Sequence, residues 1–132
     1  MDLTIRFPGD ARVDAEMGPH TIHTDQSAKS GGAWSAPTPF ETFLASIGTC
    51  AGVYVLGFCR QRGLPTDGIQ IEQHQDVDPG SGMVTGVHLD IHVPPTFPAK
   101  YRAALARSAE QCTVKKHLEH PPEILTTTIT DD

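Results

Sequence analysis

Three cysteines, Cys50, Cys59 and Cys112, are the side chains of this 132-residue chain best suited to nucleophilic or redox work, since a thiolate is the reactive form of the group. Cys50 stands in the longest apolar run, Thr38 to Arg60, and its neighbours Gly48, Thr49, Ala51 and Gly52 are small. Small residues let another element approach and leave room beside a sulfur. Cys59 follows nine positions later, about 180° round a helix at roughly 100° per residue, so the two thiols face opposite ways. There is no C-x-x-C, and a thiol partner for Cys50 has to come from elsewhere in the chain. Packing competes with chemistry as an explanation, because free cysteine is among the most buried residue types. Cys59 is read as packing.

Glu41 is the second group of interest. Thr38, Pro39 and Glu41 form a capping box, in which the Thr hydroxyl and the Glu carboxylate each take a backbone N–H left open at a helix start. The seven histidines raise the question of a metal. His88 and His92 share a strand face but stand about 13 Å apart at strand rise, too far for one ion. His20/His23 and His117/His120 have no Cys, Asp or Glu at ligand spacing. The sequence predicts neither a metal site nor a cofactor.

These residues need elements to hold them. The Thr38–Arg60 run is apolar on nearly every side, which marks a helix buried in a larger core or one that spans a membrane. Thr42 to Cys59 is 18 residues without a charge, at the threshold for a span. Three glycines interrupt it, and Ser46, Thr49 and Cys50 put small or polar groups at its centre, so a core helix wrapped by sheet is expected and no membrane. Before it, Leu3–Phe7, Arg12–Glu16 and His20–Thr24 read as strands, and residues 25–37 as a loop with Trp34 as a lid over a core edge. After it, Gly63 reads as a C-cap and Leu64-Pro65 as a stop. Ile69–Val77 and Met83–Val93 alternate about the turn 78–82 and make a hairpin. Ala99 to about Gln111 is a second amphipathic helix whose stripe, Tyr101, Leu105, Ser108, Ala109 and Cys112, turns Cys112 inward. Val114–Leu118 offers a further helical turn and Glu123–Thr130 a last strand. The order βββ-α-ββ-α-β predicts an α+β fold with mainly antiparallel strands.

The length fits one domain, 1–132, with a single core. The formal charge of −6, with no basic cluster beyond Lys115-Lys116, argues against nucleic acid as a partner. An apolar content of 38% leans toward a core shared in an oligomer. The start MDLTIRFPGD lacks the basic and apolar regions of a signal peptide. Three cysteines at spacings of 9 and 53 build no disulfide framework. A reducing, cytoplasmic setting is expected, with any disulfide transient or catalytic.

Four features together resemble the OsmC/Ohr family, the osmotically inducible and organic hydroperoxide resistance proteins. They are the Gly31-Gly32 loop; Pro39-Phe40-Glu41, Leu44-Ala45 and Cys50 as P-x-E-x-x-L-A-x-x-x-x-C; Arg60 to Pro65 as R-x-x-G-L-P before a strand; and Cys112 late in the chain, followed by V-K-K-x-L. The resemblance covers Asp25 to the C-terminus and touches the first 24 residues loosely. It implies an intertwined homodimer with central cysteine-bearing helices, and thiol peroxidase activity on organic hydroperoxides, restored by a small or protein-bound dithiol of lipoyl or other type.

Carried over by position, Cys50 is the attacking thiolate and Cys112 the resolving thiol. Attack on peroxide leaves a sulfenic acid that condenses with the second thiol to a disulfide. The family's peroxidases lower the thiolate pKa with an Arg held by a Glu near the start of the Cys helix. Glu41 matches that Glu, two and a half turns from Cys50, and Arg12 is the nearest Arg, with Arg6 as the alternative. The chain departs from the pattern at Thr113, where the family usually has Pro. Two readings follow: a dimeric cysteine peroxidase, or a non-peroxidase relative that binds a small apolar or thiol-bearing molecule at the dimer interface, its cysteines serving as a redox sensor or as packing.

Overall fold

The computed structural model describes all residues, 1–132, and divides into two compact units, Met1–Ser46 and Ile47–Asp132. The first holds an antiparallel sheet of order β1-β2-β3, with β1 Thr4–Gly9, β2 Arg12–Met17 and β3 His20–Thr24. Its turns are built where side chains are small or φ is positive: Gly9 and Asp10 lie at φ 141 and 53 between β1 and β2, and Gly18 at φ 54 between β2 and β3. Ile5 pairs with Ala15 and Arg6 with Asp14 before the register shifts on the way to the Gly9–Arg12 pair. Arg6 also meets Glu16 at 3.4 Å.

The loop that follows is tied down by one carboxylate. Asp25 is buried, and it accepts the N–H of Gln26 at 2.7 Å, the N–H of Ser35 at 2.9 Å and the Ser35 hydroxyl at 2.6 Å. These bonds hold its carboxyl down to about 2. Gly32 packs directly onto the Gln26 carbonyl, where a side chain would strike the backbone and the Asp25 carboxylate. Trp34, next but one, is forced to φ 46, a left-handed conformation that a bulky residue rarely adopts.

Helix α1 runs from Pro39 to Gln61. Both capping-box bonds are present: the Glu41 N–H donates to Thr38 Oγ1 at 3.1 Å and the Thr38 N–H to Glu41 Oε1 at 2.8 Å. The helix is long and apolar enough to cross a membrane by length and composition. Within the second unit, however, it supplies core side chains: Ile47, Ala51, Val55, Phe58 and Cys59 are buried, at the spacing of one helical face. The expectation of burial all round is corrected, since Phe40, Phe43 and Val53 are exposed.

Its end is a Schellman-type stop: the Leu64 N–H reaches back to the Cys59 carbonyl at 2.9 Å, with Gly63 at φ 63. Arg62 folds over it, its guanidinium carbon 3.6 Å from the Phe58 ring centre and Nη1 donating to the Phe58 carbonyl at 3.2 Å.

Strands β4 Gln70–Val77 and β5 Val84–His92 form the expected hairpin. Ile71, Leu89 and Ile91 pack toward the core around Ala51, Val55, Phe58, Cys59, Phe97, Leu105 and Ala109. Gly48 lets the Gln73 amide lie against the helix, where a β-carbon would collide with it. The polar face carries His74 at 3.4 Å from Asp90, His88 at 3.0 Å from Asp76, and His92 at 3.7 Å from Glu72.

The last third departs in part from its reading, although the further helical turn expected at Val114–Leu118 is present. A short 3-10 turn, Ala99–Tyr101, precedes α2 at Arg102–Ala109, and α3 is a separate helix at Thr113–Glu119. Cys112 is therefore not on the α2 stripe; it is the N-cap residue of α3, though it points inward as expected and is 2% exposed. From Pro121 onward the chain has no regular structure and is exposed throughout, so the strand expected at Glu123–Thr130 does not form. A strand needs a neighbour to pair with, and none of the five strands pairs with this segment.

Candidate active site

Cys50 lies three residues into the α1 portion of the second unit and is half-buried. Its sulfur sits at the start of α3. The backbone N–H of Val114 is the strongest influence on it, and the Cys112 thiol and the Thr113 N–H point at it as well; together they pull the Cys50 thiol below its ordinary value against the effect of burial. Two amides of an opening helical turn, left without acceptors inside the helix, are natural donors to a thiolate.

Cys112 experiences the reverse. Burial pushes its thiol up, aided by the bond to Cys50 and the charge that Cys50 carries when ionised. It also works as a cap, Sγ accepting the Lys115 N–H at 3.4 Å. The pair is thus electrically unequal: Cys50 ionises first, and Cys112 stays a thiol that donates its proton toward the Cys50 sulfur. Both are reduced here, as is Cys59. Cys59 is fully buried and its thiol is raised by desolvation, which suits packing.

The other residues singled out from the sequence belong to the first unit. Glu41 accepts the Trp34 Nε1–H at 2.9 Å as well as the Thr38 N–H, and these bonds hold its carboxyl below the usual range. No arginine bonds to it: Arg12 donates Nε–H to the Gly9 carbonyl at 3.4 Å, and Arg6 pairs with Glu16. Trp34 is 62% exposed, so the lid packed over a core edge is corrected to an indole fixed through its N–H. Sequence reasoning missed Tyr54, whose phenol meets Thr113 Oγ1, and the N–H groups of Thr113 and Val114 that act on the Cys50 sulfur. Tyr54 stands one turn after Cys50 on the same helix face, a spacing visible in the sequence. Nothing in the sequence marked Val114 as a donor, since any residue there has an N–H.

A family model described as OsmC-like protein matches residues 30–127. The chain belongs to the OsmC-like family. Solved structures agree on the fold of this OsmC-like chain. A Psychrobacter arcticus protein, described as an osmotic stress induced and detoxification response protein, superposes with TM-score 0.74 at 21% identity, over 86% of this chain and 85% of that one. An OsmC-like protein of Mycoplasma pneumoniae gives 0.64 at 13% identity over 91% and 87%. The organic hydroperoxide resistance protein OhrB of Bacillus subtilis gives 0.56 at 19% identity over 91% and 90%. No curated protein matches the chain. This OsmC-like chain therefore has the fold shared by these proteins, and its cysteine pair sits where α1 meets the start of α3.

Proposed function

We propose that the chain is a thiol-dependent peroxidase that reduces organic hydroperoxides in the cytoplasm. The observation that carries this reading is the bond between the Cys112 thiol and the Cys50 sulfur, with the two thiols shifted in opposite directions. A nucleophile has to be ionised and a resolving group has to wait beside it as a thiol. The Cys50 thiolate attacks one peroxide oxygen; the O–O bond breaks, the alkoxide leaves and takes a proton as the alcohol, and Cys50 becomes a sulfenic acid. The Cys112 sulfur then attacks the Cys50 sulfur and expels water, leaving a disulfide. A dithiol, of lipoyl or other type, supplies two electrons and two protons to restore the pair. The relative named for organic hydroperoxide resistance shares the fold.

The working unit in this reading is a homodimer formed by one domain per chain. Its support is exposed apolar surface: Leu3 just before β1, Ile5 and Phe7 on it, and Ile124, Leu125 and Ile129 in the segment after Pro122. Sedimentation equilibrium at micromolar concentration should give twice the chain mass.

Two observations favour the second reading. The Glu41 carboxylate, expected to orient an arginine, is filled by Trp34 and Thr38. An apolar groove of about 280 Å³ lined by Gly52, Val55, Leu56, Ile69 and Ile71 offers room for a small apolar molecule. One experiment separates the two readings. The reduced protein is mixed with a slight excess of cumene hydroperoxide, free thiols are counted and disulfides mapped by mass spectrometry, with Cys50→Ser and Cys112→Ser alongside. Loss of two thiols as a Cys50–Cys112 link, and no peroxide consumed by Cys50→Ser, supports the peroxidase. Three thiols surviving would replace it with the binding protein.

A further inference from the structure

We propose that Tyr54 is the positioning residue that sets how the Cys112 sulfur meets the Cys50 sulfur. The inference rests on the reading of the two cysteines as a redox pair and adds the group that holds them in register.

Cys112 lies in a short corner, with α2 ending at Ala109 and α3 beginning at Thr113. A corner of this kind would normally be the loosest part of a helical pair. Tyr54 grips it on both sides. The Ser108 hydroxyl, in the last turn of α2, donates to the Tyr54 carbonyl at 3.4 Å. The Tyr54 phenol lies 3.3 Å from Thr113 Oγ1, at the first residue of α3. Tyr54 stands four residues after Cys50, so on the helix face that presents the attacking sulfur the next group along holds the corner carrying the other.

Geometry of this kind acts on probability. A disulfide forms only when two sulfurs meet at a narrow set of angles. A corner held at both ends visits that arrangement more often than one held only by its covalent links, and raises the effective concentration of one thiol at the other. The phenol–hydroxyl bond is exposed, so its loss removes a tether and leaves the core intact.

The test is the dithiol–disulfide equilibrium of the pair in glutathione buffers. There, glutathione disulfide takes two electrons and two protons from Cys50 and Cys112 and leaves as two thiols. No peroxide is involved. Tyr54→Phe keeps the ring and deletes the hydroxyl; Thr113→Val deletes the other partner; Thr113→Ser keeps it. Each of the first two should shift the equilibrium about two- to fivefold toward the dithiol, the size expected for one exposed hydrogen bond. The double variant should shift no further than either alone, and Thr113→Ser should behave as wild type. Melting temperatures, recorded in parallel, should stay close together. A disulfide that forms normally in wild type with an unshifted equilibrium in Tyr54→Phe overturns the role of Tyr54 alone. So do two shifts that simply add. A wild-type chain in which the Cys50–Cys112 disulfide never forms overturns the redox reading, and the role of Tyr54 with it.

Discussion

The indole N–H of Trp34 donates to Glu41 Oε1 at 2.9 Å, and the same oxygen accepts the Thr38 N–H at 2.8 Å. One carboxylate therefore caps α1 and fixes the only tryptophan of the chain. The two donors lower its pKa from the ordinary 4.5. A depressed carboxyl stabilises the fold above its unfolded value and loses that effect as pH falls through the folded value. Trp34 fluorescence should accordingly change in a titration whose midpoint lies below 4.5, and the step should vanish in Glu41→Gln. A midpoint above 4.5 would mean that the indole bond does not form in solution.

The three thiols differ in access and in acidity. Cys50 is half-buried, whereas Cys59 and Cys112 are at most 2% exposed. An aromatic disulfide reagent should take one thiol per chain quickly under native conditions and all three in denaturant. Cys50 should alkylate with a half-maximal pH below the ordinary 9.0, because the Val114 and Thr113 amides and the Cys112 thiol favour its thiolate. In Cys112→Ala that pH should rise and remain below 9.0, since the amides stay. Equal reactivity of Cys50 and Cys59 would contradict this placement.

Two glycines should respond differently to alanine. At Gly32 a methyl would meet the Gln26 backbone, which has nowhere to go, so Gly32→Ala should destabilise the protein by about 1–3 kcal/mol. At Gly48 it would meet only the end of the Gln73 side chain. There the helix gains about 1 kcal/mol from replacing glycine, offsetting the displaced amide, so Gly48→Ala should stay within about 1 kcal/mol of wild type. Urea melts of both variants decide the matter; a larger loss at Gly48 than at Gly32 would reverse the assignment.

Acid should loosen the 25–37 loop in a defined window. Asp25 has its carboxyl lowered from 3.8 to about 2, chiefly by the Ser35 hydroxyl and N–H. Its stabilising effect is complete above the unfolded value and is lost as pH drops from about 4 to about 2. Asp25→Asn should remove this dependence. Proteolysis with pepsin across that window, cut sites read by mass spectrometry, should place early nicks between residues 25 and 37 in wild type as pH falls, and at every pH in Asp25→Asn.

Much of this was legible in the residues. The capping box, the Gly63 stop, the hairpin and the three early strands follow from local chemistry: a cap, a left-handed glycine, alternation, turn residues. Cys50 and Cys112 could be paired only because a family pattern joined them across 62 positions. Their acidity was not legible, because it comes from backbone N–H groups that every residue type carries. The position of Cys112 was misread for a related reason. Helical spacing continues through Gln111 on paper, but the chain closes α2 at Ala109 and opens α3 with the cysteine as its cap. Glu123–Thr130 has the composition of a strand, and composition does not supply the neighbour that a ladder requires.

The cap at Cys112 has one more consequence. Helices usually begin on oxygen, from Ser, Thr, Asp or Asn, whose bonding to the first turn does not respond to thiol-directed reagents. Here the acceptor is sulfur, and sulfur changes its bonding whenever it is alkylated, nitrosated or metallated. Any reagent that consumes this thiol also unbuttons the first turn of α3, so a covalent label on Cys112 reports on a chain it has already altered. Labelling studies should therefore place their probes on engineered positions and leave this native sulfur untouched.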